Sequence, residues 1–347
     1  MRSAAPRSKQ GWSSVSTEDA AGPTSNDAPR SSKLGAPPQT TNAAPRPSKR
    51  RALRSPTIDA PRSERRTGLA MATPYAAFLL IFSLYPIVFA IVLTFMKWDL
   101  VTAPTFAGAD NVVTLAHDVR FWQAILNTLL FLAIHVPLQI VVALVLAVAL
   151  DRPLFARSFW RAAFFLPVVI SGAVVTILWS SLYATDVGLL NRLLGHVGIA
   201  PVHWLTDPTI AMPAIAVMVT WKNVGFYVVI YLAGLQYIPR SCYEAIDLEG
   251  ATRWQTFRHV TLPLLRPQTA LVVTLSTING FQLFIEPYVM TGGGPLRHTL
   301  TVVLYMYKNA FAYQKMGYAA TLGLALALVI FAVLILQRRL VGTQEKS

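Results

Sequence analysis

The stretch RSCYEAIDLEGATRWQTFRHVTLPLLRP, residues 240–267, decides how the rest of the chain is read. Tyr243 to Glu249 suits a short helix, Gly250 breaks or bends it, and Ala251 to Val260 suits a second. Pro263 and Pro267 then punctuate the segment, as proline does where a helix cannot continue unbroken. Glu244, Asp247, Glu249, Arg253 and Arg258 give this helix–glycine–helix knob the mixed charge that suits a partly polar socket on a partner. Taken alone, the same residues also fit an ordinary solvated loop.

The chain around it is a membrane protein by composition. Of 347 residues 54% are hydrophobic and 13% charged, with mean hydropathy +0.48, whereas soluble domains carry about a quarter charged residues. A bilayer core about 30 Å thick takes about 20 apolar residues as helix. Stretches without Asp, Glu, Lys or Arg at 67–96, 121–150, 162–185 and 316–337 meet that length. Two more, at 208–239 and 267–296, meet it if Lys222 and Glu286 are tolerated. The expectation is an all-α, six-span domain over 67–340, with spans near 70–95, 122–150, 162–184, 209–235, 268–291 and 316–337. Pro86, Pro137, Pro167 and Pro213 inside the spans point to a packed bundle around a cavity.

Charge distribution sets the topology. The segments 1–68, 151–161, 240–266 and 338–347 hold 23 Lys/Arg, against 5 on the opposite side. Both termini and the 240–267 loop are therefore expected in the cytoplasm. Trp98, Trp122 and Trp204 fall near span ends, as an interfacial belt requires. The formal net charge of +14 owes much to residues 1–68, with 13 Lys/Arg and 5 Asp/Glu. That region lacks aromatic platforms apart from Trp12, which argues against nucleic-acid binding. Residues 1–66 are expected to be a disordered basic cytoplasmic tail near anionic lipid. The first span is too long, and too far from the start, for a secretory signal. Cys242 is the one cysteine, so neither an internal disulfide nor a thiolate metal cluster can form.

The loop also resembles the hallmark of a known family, the transmembrane subunits of binding-protein-dependent ABC importers. Glu244-Ala245-Ile246, then Gly250, then Val260-Thr261-Leu262-Pro263 stand at that hallmark's spacing, with Ile246 for alanine and Val260 for isoleucine. Gly225-Phe226, Leu235 to Pro239, Tyr288 to Pro295 with its Thr291-Gly292-Gly293-Gly294-Pro295 turn, Phe311 and Gly317 to Ala320 extend the likeness to the sugar-importing branch of maltose or glycerol-phosphate type. It covers about 70–340. The resemblance implies a type I importer permease fold in a bacterial inner membrane, with 240–267 as the coupling loop. Glu244, Ala245, Ile246, Gly250, Leu262 and Pro263 would engage an ABC ATPase dimer, and that partner would use ATP and Mg. A second homologous permease subunit, an extracytoplasmic solute-binding protein and a sugar substrate are the other partners implied.

Substrate-pathway candidates come from the two spans flanking the loop, because polar groups at mid-membrane are costly against lipid. They are Lys222, Asn223, Gly225 and Tyr227 on the fourth span, and Ser276, Asn279, Gln282 and Glu286 on the fifth. Each also has the plainer reading of a helix–helix hydrogen bond. Aligned on the family, Gly225 and Ser276 fall in register with lining positions, while Gly280 and Leu283 replace two asparagines. Lys222 lies deep in its span and Glu286 nearer the outer end, so the two are not expected to pair. Thr291, Gly293, Gly294 and Pro295 are expected to form an external turn.

Catalysis by this chain is not expected. No Gly-x-x-x-x-Gly-Lys-Ser/Thr loop is present, so ATP hydrolysis must belong to another chain. The six histidines show no His-Glu-x-x-His pattern, and no metal site is expected. The alternatives are an ABC permease for a non-sugar solute, an ion-coupled secondary transporter, which leaves the loop unexplained, and a membrane-embedded enzyme, for which no catalytic set is assembled.

Overall fold

The computed structural model describes residues 62–152 and 155–342. The expected tail, 1–66, thus falls almost wholly outside the described residues. Five helices are long and apolar enough to cross a membrane, and a sharply bent pair makes a sixth span.

The first span, expected near 70–95, covers Ala70–Thr94 and lies on a helix that begins as α1, Arg62–Leu79. It passes through a π-helical turn at Leu80–Leu84 into α2, Tyr85–Thr94. The widening immediately precedes Pro86, whose missing N–H interrupts the helical ladder. A two-stranded antiparallel ribbon, β1 Met96–Lys97 and β2 Thr105–Phe106, then leads to α3, Asp110–His117. The second span, α4, is a single helix over Val119–Asp151.

The third span, expected near 162–184, is sharply bent. It consists of α5, Arg157–Val169, and α6, Gly172–Leu182, which meet at 98°. Pro167 removes one hydrogen bond from the last turn of α5, and Ile170 and Ser171 are extended (ψ 141° and 130°), so the chain changes direction before Gly172. After α7, Leu189–His196, the fourth span is α8, Ala211–Tyr237.

The loop forms the expected knob. Helix α9 spans Arg240–Leu248, Gly250 turns with φ +75°, and α10 covers Arg253–Thr256. The second helix runs past its expected end, through a π-helical turn at Phe257–Thr261 into α11, Leu262–Leu264. Pro263 follows the π-helical turn, as Pro86 does in the first span, and its missing N–H interrupts the helical ladder there.

The fifth span, expected near 268–291, covers Arg266–Met290 and is broken within. Helix α12, Arg266–Phe281, stops, and α13, Ile285–Met290, restarts. Gln282 and Leu283 close tight turns onto Asn279 and Gly280, and Phe284 leaves helical geometry at φ −138°. After α14, Val302–Tyr307, the sixth span is α15, Met316–Gly342.

Helix α8 is the centre of the bundle, in contact with α4, α5, α12 and α13. One apolar cluster gathers Phe131, Met212, Ile215, Phe281 and Leu322. A second gathers Ala143, Ala147, Val228, Tyr231 and Leu265. The first span stays outside this core. Its Phe78, Phe82, Tyr85 and Phe89 are exposed, and only Leu93 and Thr94 of α2 are buried, near where α2 meets α15.

Candidate functional site

A polar layer crosses the middle of the bundle. Lys222 on α8 and Glu286 on α13 form an ion pair, Nζ to Oε1 2.7 Å, with both side chains largely buried. This overturns the expectation that their depths keep them apart. The break before α13 detaches Glu286 from the register of α12, so its depth is not given by counting along one continuous helix. Gly172, at the bend of the third span, makes room for the ammonium. A Cβ there would lie 3.1 Å from Lys222 Nζ. The pair thus joins three spans.

Toward the 240–267 knob, Tyr227 is buried and its hydroxyl accepts from Asn279 Nδ2 at 3.3 Å. Ser276, one turn earlier on α12, is fully buried, and its Oγ has no partner among the described residues. Asn223 is half-buried, while Asn279 and Gln282 are exposed. Gly225 is tightly packed. A Cβ there would overlap the Phe164 carbonyl and come within 2.8 Å of Phe165 Cα, so this glycine lets α5 and α8 cross closely.

Three members of this layer, His135, Gln139 and Gln337, were missed in the sequence. His135 is 1% exposed and its Nδ1 lies 2.8 Å from Thr220 Oγ1. Gln139, one turn further along α4, is fully buried, with neither amide atom partnered among the described residues. Gln337 on α15 donates to Thr277 Oγ1 at 2.8 Å. The signal was present as neutral polar residues inside stretches chosen for lacking charge, with His135 and Gln139 on one helix face at i, i+4.

Aromatic rings flank the Glu286 end of the layer. Phe284, Tyr288, Tyr307 and Phe311 form a chain of contacts with centroids 5.0 to 5.4 Å apart, and Tyr288 and Phe311 are exposed. Beyond it the Thr291–Pro295 turn is closed by its own hydrogen bonds. Thr291 Oγ1 donates to Pro287 O at 2.9 Å and lies 2.6 Å from Thr299 Oγ1, which donates to Gly294 O. Gly293 has φ +90°, a conformation that favours glycine.

A cavity of about 500 Å³ opens at the same end, lined by Trp98, Arg120, Tyr313 and Lys315. Asp118 there caps α4 by accepting from Arg120 N at 2.9 Å. It also accepts from the hydroxyls of Tyr305, at 2.7 Å, and Tyr318. Partial burial alone would raise the Asp118 pKa, but the hydrogen bonds from Tyr318, Tyr305 and the Arg120 and Phe121 backbone hold it below the ordinary carboxylate value. Tyr305 is pushed up to about 12, first by burial and then by its bond to Asp118. A carboxylate with a depressed pKa stabilises the fold above its unfolded value, and that contribution fades as pH falls through the lower folded value. Asp118→Ala strands two buried hydroxyls, at a cost of about 3 kcal/mol. The expected result is a lower Tm near neutral pH, with the gap to the parent protein narrowing in acid; a pH series of thermal melts checks it.

At the opposite end, Glu244 and Ala245 are exposed on α9 and Ile246 is half-buried. Leu248 and Trp254 stand out, at 91% and 66% exposed. Thr252 and Gln255 close a capping box that fixes the start of α10. Tyr243 Oη, 3.3 Å from Thr261 Oγ1, ties the two halves of the knob together. Leu262 and Pro263 lie at its return to α12. Among the described residues no three His, Cys, Asp or Glu side chains gather as metal ligands would.

Known proteins share this pattern. A family model described as "Binding-protein-dependent transport system inner membrane component" matches residues 101–343. The probable ABC transporter permease protein YurN of Bacillus subtilis is 34% identical, over 77% of this chain and 94% of its own length. The lactose transport system permease protein LacF of Rhizobium radiobacter is 37% identical, over 78% and 92%. The arabinooligosaccharides transport system permease protein AraP of Bacillus subtilis is 33% identical, over 78% and 87%. In fold, the chain resembles one in the crystal structure of a bacterial ABC transporter involved in import of the acidic polysaccharide alginate. The TM-score is 0.67 at 23% identity, covering 81% of this chain and 96% of the other.

Proposed function

The chain belongs to the family of binding-protein-dependent transport system inner membrane components, and on that premise we propose that it forms one half of a pore for a sugar or sugar-like solute. It is a multi-pass permease subunit of an ABC importer, and the ATPase is a separate subunit.

The observation that carries the pore reading is the exposed polar surface at mid-span. Asn279 and Gln282 are exposed on the bundle beside the Lys222–Glu286 pair. Amide groups facing hydrocarbon are costly, so this face belongs against water and a second, homologous permease subunit. Asn279, Gln282 and the exposed rings of Tyr288 and Phe311 then supply the amides and ring faces that hold a saccharide. Relatives named for lactose and arabinooligosaccharide transport support the same class.

The knob at 240–267 docks on an ABC ATPase dimer, with Leu248 and Trp254 as apolar anchors beside Glu244. Both termini and the knob lie in the cytoplasm, as the Lys/Arg distribution requires. A solute-binding protein delivers solute at the opposite face, near Thr291 to Pro295. ATP draws the ATPase subunits together, the knobs follow, and α8 and α12, which flank the knob, move as rigid bodies to alternate access.

The test is uptake by the full complex reconstituted in proteoliposomes, using the sugar that raises the Tm of its binding protein. Gly250→Val forces a β-branched residue toward positive φ, where an L residue costs about 1–2 kcal/mol. Space beyond Gly250 is open, so the cost is conformational. Gly250→Val and Glu244→Arg are expected to insert normally yet lose uptake relative to ATP turnover. Full uptake by both variants would overturn the coupling role, and absence of uptake of any sugar by the parent complex would overturn the substrate class.

A further inference from the structure

We propose that the groove between α5 and α8 is a binding site for an acidic phospholipid, with the Arg161 guanidinium holding its phosphate. A cavity of about 200 Å³ lies there, lined at one end by Arg161 and Gln236. Its remaining wall is apolar, formed by Phe164, Val228, Val229, Leu232 and Ala233 with Gly225. Arg161 stands one turn into α5, and Gln236 is the second-last residue of α8. The polar groups therefore sit at the ends of two spans, at headgroup depth, while the apolar wall runs toward the middle of the bilayer. Val229 is 51% exposed, so the groove opens to the outside of the described bundle.

The Arg161 side chain asks for an anion. Its Nε and Nη2 are buried and meet no acceptor among the described residues. A buried guanidinium donor without a partner is destabilising, and a phosphate diester offers the paired oxygens that match it. Cationic pockets between spans at the membrane edge take lipid headgroups in this way. A saccharide in this groove would find few hydrogen-bonding groups besides Arg161 and Gln236, and a free phosphate would leave the apolar wall without use. A phospholipid satisfies both parts, its phosphate on Arg161 and an acyl chain along Val229 and Leu232.

The test uses the intact transporter in nanodiscs of phosphatidylcholine mixed with phosphatidylglycerol, followed by native mass spectrometry of the lipid retained after mild delipidation. The parent protein is expected to retain phosphatidylglycerol over phosphatidylcholine by roughly fivefold, because both lipids carry the phosphate but the choline cation of phosphatidylcholine offsets its charge beside Arg161. Arg161→Gln is expected to lose that preference and Arg161→Lys to keep part of it. Equal retention of the two lipids by the parent protein overturns the proposal without recourse to a variant, so a folding failure of Arg161→Gln leaves it testable. It is also overturned if a carboxylate of the second permease subunit occupies Arg161 in the assembled complex. A third contrary result is Arg161→Gln raising the KM for solute while lipid preference stays unchanged.

Discussion

Lys222→Met and Glu286→Gln are each expected to cost most of the folded protein, while the double variant regains much of what each loses. Removing one partner leaves the other charge buried at mid-span, and breaking a buried pair costs about 3–5 kcal/mol. Glu286 is 5% exposed as a residue and pairs with Lys222, whose ammonium packs close to the bend at Gly172. Neutralising both ends removes the attraction and the desolvation cost together, so the double variant escapes most of the penalty. The measurement is a double-mutant cycle on thermal unfolding in nanodiscs, with a coupling of about 2 kcal/mol or more expected. Additive losses would show that the pair is not an energetic unit. Uptake by the refolded double variant then separates two roles. A pair that only braces α8, α13 and the third-span bend gives near-parent uptake, whereas a pair facing solute gives a folded protein that no longer transports.

That pair also marks where the sequence stops being readable. Depth was estimated by counting residues along a continuous helix, and the estimate fails at Gln282–Phe284, where α12 ends and α13 restarts. Hydropathy scores composition and carries no direction. It finds the apolar run 162–185 but not the 98° turn within it, which Pro167 and the extended Ile170-Ser171 produce. His135, Gln139 and Gln337 escaped because a search for missing charge passes over neutral polar groups. The knob at 240–267 was legible because its information is local. A glycine at positive φ and two short helices of mixed charge need no distant contact to be specified. Its Thr252-Arg253-Trp254-Gln255 capping box was equally local, and readable from the Thr-x-x-Gln spacing.

Gly225 is the position where family register and packing give different expectations, and Gly225→Ala separates them. As a lining residue, a glycine exposed to the pathway would accept one methyl group with a change in KM and an intact fold. The geometry argues otherwise. The added Cβ would overlap the Phe164 carbonyl and reach 2.7 Å from its carbon, and these are backbone atoms that no rotamer change can move. Helix α5 would have to shift off α8, opening a crossing that small residues keep close. Overpacking of this kind costs about 1–3 kcal/mol, and more where the clash is with main chain. Gly225→Ala is therefore expected to lower the Tm in nanodiscs by several degrees, and Gly225→Val to leave little folded protein. Because Phe164 and Gly225 both line the groove that holds Arg161, the alanine variant is also expected to retain less phosphatidylglycerol. A stable Gly225→Ala protein with altered solute KM and parent-like lipid retention would return this residue to the pathway. Loss of stability and of lipid together would place it at the α5–α8 crossing, where a side chain of any size pushes the third span away from the centre of the bundle.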